Sequence, residues 1–333
     1  MSVASSVPET WELTGDDARE TLLRTGRRQL LRDAFVRLRA ADGFSHARSM
    51  AYLIALVLVE GVIAMVGFAS ALGVRGPGRA VVRTIEQVAP GPMGRTVRDA
   101  VAQADRAGSS GRWFALAFGL IGALVVGTTL LGQMERALNR LYGVEQDRAT
   151  VQKYGHAFLL AVTSGLLALG AFLAFAFGPA MGSAIADHAG ATAWRVVRWP
   201  LGIVLVAAAT ALLFRWSPRR RQPAWSWLAW GSGIGVVLWS ALTLGLGWFV
   251  QRSSSFGDAY GPLAGMIALL LWALGSSIAV LYGAAVTAQL EAVRAGRPEP
   301  RRVPVPGPAD QPEPPRATGD SASRVLGDAQ PVG

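Results

Sequence analysis

The sequence contains no cysteine, a single lysine (Lys153) and three histidines in 333 residues. The missing cysteines exclude a disulfide scaffold, a thiolate zinc site and a thiol nucleophile. His46, His156 and His188 are isolated and form no H-x-H-x-D-type cluster, whereas a metal-dependent nuclease needs ligands gathered around an activated water. Charge is scarce too: 16% of residues are Asp, Glu, Lys or Arg, against about 25% in soluble domains. The first 49 residues are hydrophilic and carry no leader-like apolar stretch, so the first apolar run is expected to act as an uncleaved insertion signal.

What the chain has instead is six long apolar runs: Met50–Gly73, Trp113–Gly132, Ala157–Pro179, Trp199–Trp216, Trp227–Val250 and Gly261–Val286. A helix needs about 17–25 such residues to cross the hydrocarbon. Strands of a membrane barrel would be half as long and strictly alternating. The expected fold is therefore an all-α integral membrane protein, a six-helix transmembrane bundle over residues 50–289. Tryptophans agree: Trp113, Trp194, Trp199, Trp216, Trp225, Trp227, Trp230 and Trp248 fall at or near run ends, where indoles favour the headgroup level.

Arginine placement gives a direction. Of the 32 basic residues, 22 lie before Met50, in the connection from run two to run three, around that from run four to run five, or after Val286. Cytoplasmic loops collect Lys and Arg. The expectation is a multi-pass protein of the bacterial inner membrane with both termini cytoplasmic. Its net charge of +10 follows from this distribution, so nucleic acid is not an expected partner.

Three parts lie outside the runs. Within the N-terminal segment 1–49, Arg19–Arg39 has Leu23, Leu30, Leu31, Ala34 and Leu38 at helical spacing, with Arg24, Arg27, Arg28, Arg32 and Arg39 around them. That pattern predicts one amphipathic helix lying on the inner membrane surface against anionic lipid, as an orientation anchor or lipid sensor. Val74–Arg112, with its Gly- and Pro-rich stretches, is expected to form a small external helical cap. From Arg297 onward nine of the eighteen prolines occur with few large apolar residues, which predicts a disordered cytoplasmic tail within 290–333.

Between spans, close packing needs small residues. Gly119, Ala123 and Gly127 form one small-residue ridge; Gly261 with Gly265 and Ala279 with Gly283 form others; Glu60, Ala64, Gly67 and Ala71 share a face of the first span. Glu60 lies near the middle of that span, where a carboxylate costs about 2.5–3.5 kcal/mol to insert. It is a candidate proton, cation or lipid-headgroup site, or else a structural carboxyl bonded to a neighbouring helix. Thr128, Gly132, Glu135 and Asn139 make a polar stripe at the inner end of the second span. Flanked by Arg136 and Arg140, it suggests local charge pairing, with a transport path as the alternative. Arg215 with Arg219, Arg220 and Arg221 is the tightest basic cluster, a positive-inside anchor or a contact for lipid phosphate. Asp258 is expected to cap the last span.

Several segments resemble the YihY/BrkB family of envelope-integrity proteins, whose older label is ribonuclease BN. They are Ala51-Tyr52, Ala137-Leu138-Asn139-Arg140-Leu141-Tyr142, Phe214-Arg215-Trp216-Ser217-Pro218, Tyr260-Gly261-Pro262-Leu263, Leu271-Trp272 and Gly283-Ala284, in order over roughly Arg28 to Arg294. The resemblance implies a six-helix inner-membrane protein tied to envelope integrity or serum resistance, with movement of lipids or other solutes as the suggested activity. Two features depart from the family pattern. Gly283-Ala284 is followed by Ala285-Val286-Thr287 where the family has an acidic residue, an aliphatic one and Asn; Val57 and Glu60 stand where many members have Ser and Pro.

The function expected is envelope-type handling or transport of lipid or another small solute, with Glu60, Thr128, Glu135, Asn139 and Arg215 as candidate contacts. A non-transporting scaffold is the alternative, and the ribonuclease the least supported. Expected partners are membrane lipids with anionic headgroups, and a second copy of the chain; no enzyme activity, metal or cofactor is expected.

Overall fold

The computed structural model describes residues 4–71, 108–176, 188–253, 260 and 263–302. Asp258, the Gly261 end of the last small-residue ridge, the tail beyond residue 302 and all of the anticipated external cap before Gly108 lie outside these residues.

Within them every regular element is a helix: α1 Gly15–Thr25, α2 Arg27–Ala40, α3 Gly43–Ala71, α4 Gly108–Leu141, α5 Thr150–Ala176, α6 His188–Trp216, α7 Trp225–Arg252 and α8 Ala264–Arg294. Five are long and apolar enough to cross a membrane, over Leu116–Leu141, Thr150–Ala171, Thr192–Trp216, Trp225–Val250 and Ala264–Arg294. Most helices overrun the apolar runs, because polar turns such as Met134–Leu141 and Thr287–Arg294 keep their helical bonding and find partners at the bundle end.

The N-terminal region differs from the single amphipathic helix expected over Arg19–Arg39. The Thr14 amide and hydroxyl both donate to the Asp17 carboxylate at 2.9 Å, which starts α1. The amide bond of Thr14, foremost, holds the Asp17 carboxyl below its ordinary value. Gly26, at φ +85°, then breaks the helix in a conformation that L side chains rarely adopt. Leu30, Ala34 and Leu38 of α2 are buried in the core, while Leu23 and Phe35 stay exposed. One stripe of α2 is thus spent on the protein, chiefly α8, and what remains for lipid is narrower than the sequence suggests.

Helix α8 lies centrally, packed on α7, α3, α2 and α4, and α3 runs along α4. Of its most apolar window 44% is buried, against 11–17% for the other four candidate spans. Those four expose Leu120, Val125, Leu166, Val204, Val237 and Leu244, a surface suited to acyl chains. Two contacts are made backbone to backbone. A Cβ on Gly119 would lie 2.5 Å from the Ala64 nitrogen, and one on Gly283 would lie 2.5 Å from the Gly231 oxygen. These crossings, α3–α4 and α7–α8, set the bundle's geometry as close small-residue approach does in lipid.

Candidate functional site

Glu60 sits in the α3–α4 seam, about 15 Å along the helix from Met50, which is half the hydrocarbon thickness of about 30 Å. Gly122 makes the room: a Cβ there would lie 2.7 Å from the Glu60 carboxyl. Glu60 Oε2 is enclosed and has no hydrogen-bond partner. A buried carboxyl oxygen without a partner is rare in native structures.

The polar stripe of α4 divides in two. Thr128 donates to the Leu124 carbonyl one turn back at 2.6 Å and is satisfied within its own helix. Glu135 and Asn139 sit lower, both buried, and bind the loops beyond. Glu135 pairs with Arg148 at 2.9 Å, and Arg148 also donates to the carbonyls of Ser217 and Pro218. Asn139 donates to Asp147 at 3.1 Å and accepts from the Arg219 amide at 2.8 Å. Asp147 further receives Lys153 at 3.1 Å and Arg136 at 3.4 Å. The two loops are knotted to α4 by these groups. Arg215 is similarly engaged, donating to the carbonyls of Gln222 and Pro223, so its Nη1 closes the α6–α7 turn.

Burial works against the charge on Asp147, but the Asn139 and Lys153 hydrogen bonds prevail and hold its carboxyl below the ordinary 3.8. Stability from this group is therefore present above its unfolded value and lost as pH falls through the lower folded one. An Asp147→Asn variant should be less stable by about 0.5–1 kcal/mol near neutrality. Its melting temperature in detergent should also fall less steeply than that of the wild type below pH about 4.

A second cluster, at the same end of the bundle, was not singled out from sequence. Residues 4–14 form an extended strap across this end. Its amides at Ser5 and Val7 donate to the carbonyls of Pro300 (3.2 Å) and Tyr142 (3.0 Å), and it accepts the Ala224 amide at Leu13 (3.1 Å). Ala4 pairs with Arg301 as an isolated bridge. Beneath the strap lie Arg37, Arg220, Glu291, Gln289 and Tyr142. Arg220 pairs with Glu291 at 2.5 Å, with side chains 2% and 0% exposed, and its guanidinium stacks over the Tyr142 ring at 4.4 Å. Glu291 also accepts from the Thr10 amide and hydroxyl, at 3.2 and 2.5 Å. Arg37, 0% exposed, donates to Gln289 at 2.8 Å and to the Leu141 and Ser5 carbonyls at 3.1 and 2.9 Å. Burial pushes Arg37 down to about 10, still cationic at neutral pH, and pushes the Tyr142 phenol up.

Two signals of this cluster were present in the sequence. Arg37 falls on the Leu30–Ala34–Leu38 face, and Glu291 stands in the last turn of α8, where a carboxylate opposes the helix dipole. Arg220 gave no such signal, since its neighbours Arg219 and Arg221 make it look like one more loop cation.

A family model described as Virulence factor BrkB matches residues 34–306, a range that includes every group of both clusters except the strap. Among curated relatives, the ribonuclease-like protein YfkH of Bacillus subtilis is 24% identical over 265 residues, 78% of this chain and 94% of that one. A UPF0761 membrane protein of Rhodospirillum centenum is 28% identical over 272 residues, 80% of this chain and 59% of that one. Another, of Verminephrobacter eiseniae, is 31% identical over 180 residues, 52% and 41% respectively. The chain thus spans most of YfkH but only about half the length of these UPF0761 relatives. No solved structure matches. With a family match over most of its length and helices apolar enough to span a bilayer, the chain belongs to the BrkB/YihY family of membrane proteins.

Proposed function

We propose that this protein crosses the inner membrane six times, with both ends cytoplasmic, and handles a lipid or small solute at the Glu60 carboxyl. The strap supports the even count. Ala4 pairs with Arg301, a contact expected of ends that share one face of the membrane and not expected after five crossings. Helix α3, 29 residues long and about 43 Å at 1.5 Å per residue, is long enough for the sixth. The arginine distribution supports the cytoplasmic assignment of that face.

The observation that carries the functional reading is Glu60 Oε2, enclosed in the α3–α4 seam without a partner near the middle of the first apolar run. An ionisable group inside a membrane is expensive and marks a substrate or ion path by default. A purely structural carboxyl would be expected to bond the neighbouring helix, and this oxygen does not. The test is fluorescent-lipid scrambling and solute flux in liposomes, comparing wild type with Glu60→Gln. We expect flux in the wild type and at least a tenfold loss in the variant, with unchanged gel-filtration behaviour. Absence of flux from folded wild-type protein would favour the scaffold, a reading supported by the dense cross-linking of loops and strap at one end.

A further inference from the structure

We propose that Arg37 and Arg220, buried beneath the strap, form a binding site for a phosphate-type anion, which competes with the strap for their N–H groups. The site lies apart from Glu60 and does not depend on whether the protein moves lipid.

Charge comes first. The cluster encloses two guanidinium groups and one carboxylate, Glu291, with all three side chains 0–2% exposed. Among the described residues one positive charge is left without a carboxylate partner, and a buried charge in that state is costly. Donors come second. Arg220 Nη2 is used by Glu291 and the Pro8 carbonyl, but its Nε and Nη1 are buried with no acceptor. Tyr142 fixes the guanidinium plane from one face, so the idle Nε–H and Nη1–H, which lie on different edges of the fork on either side of Nη2, are each defined in direction.

The present occupants come third. Apart from Gln289 and Leu141, the acceptors satisfying Arg37 are the Ser5 carbonyl and hydroxyl, and Arg220 takes Pro8. All three belong to the strap, and all are neutral oxygens. A phosphate offers charged oxygens in the same role, and the planar guanidinium fork matches phosphate geometry. The strap's bonds are already charge-assisted through the guanidinium donors; an anion keeps that assistance and adds the attraction of an opposite charge in a site shielded from water, so it gains where the strap only suffices. Free phosphate and a phospholipid headgroup present the same chemistry.

The protein has no cysteine, so Val7→Cys carries the sole thiol, placed at a strap position 7% exposed. Maleimide labelling of the full-length protein in detergent is followed with inorganic phosphate against sodium chloride at equal ionic strength. It is then repeated in phosphatidylcholine vesicles with and without phosphatidylglycerol. We expect about tenfold faster labelling, equivalent to a 1.4 kcal/mol shift in strap release. Acceleration by phosphate in detergent means the free anion suffices; acceleration only with phosphatidylglycerol assigns a headgroup. The Arg220→Gln/Glu291→Gln variant, in the Val7→Cys background, removes a paired cation and anion together, so it creates no new unpaired charge, and it should lose the acceleration. Rates indifferent to both anions, or equal acceleration in the doubly neutral variant, would overturn the site.

Discussion

Replacing Arg220 alone by methionine is expected to destabilise the protein by about 3–5 kcal/mol, the usual cost of stripping one member from a buried ion pair. Glu291, 0% exposed, would keep its Thr10 bonds but lose its only cationic contact at hydrogen-bond distance among the described residues. The loss should show as a lower melting temperature in detergent and aggregation on gel filtration. The companion change matters more for interpretation. Combining Arg220→Met with Glu291→Leu removes both charges, and such apolar replacements are often neutral or stabilising. Recovery of most of the lost stability would show that the cost lay in the orphaned carboxylate. A double variant as unstable as the single one would mean that Arg220 acts mainly through Tyr142 and Pro8.

The second large effect is expected at the α7–α8 crossing. A Cβ at Gly231 would lie 1.8 Å from Thr287 Oγ1 and 2.5 Å from the Gly283 oxygen. The threonine hydroxyl can rotate away, but the opposing carbonyl is backbone and cannot, so the two helices must part. Gly231→Val should destabilise the bundle by about 1–3 kcal/mol, as overpacking does. Gly233, two residues on, has open space at its Cβ, and Gly233→Val should be tolerated. Comparing thermal unfolding of the two variants separates steric conflict from the change in helix propensity between glycine and valine, which both share. Equal destabilisation of the two would count against the close crossing.

The architecture was legible because a bilayer demands long apolar helices, and nothing else in the sequence explains such runs. Helix ends were less so. Glu135, Asn139 and Glu291 end the apolar periodicity, but the helices continue because these side chains find partners in the following loop, in the α6–α7 turn and in the strap. The single helix expected over Arg19–Arg39 failed at Gly26, whose φ of +85° splits the stretch into two short helices. At the candidate sites, Glu60 stood out because one carboxylate among apolar residues has no trivial cause. Arg215 looked free in sequence and proved to close a turn, and Arg220 looked like its equal and proved buried against Glu291. Adjacent arginines of one loop cannot be told apart until the chain's ends are brought beside them.

The meeting of Ser5 with Pro300 also fixes an order of events during synthesis. At roughly 5–20 residues per second on the ribosome, Ser5 waits about 15–60 s before Pro300 exists, although Tyr142 and Ala224, the partners of Val7 and Leu13, are made earlier. The contact of the strap with the carboxyl-terminal segment is therefore made only after every described helix has been synthesised, and a nascent chain stalled before Pro300 lacks the bond that closes the strap at Ser5.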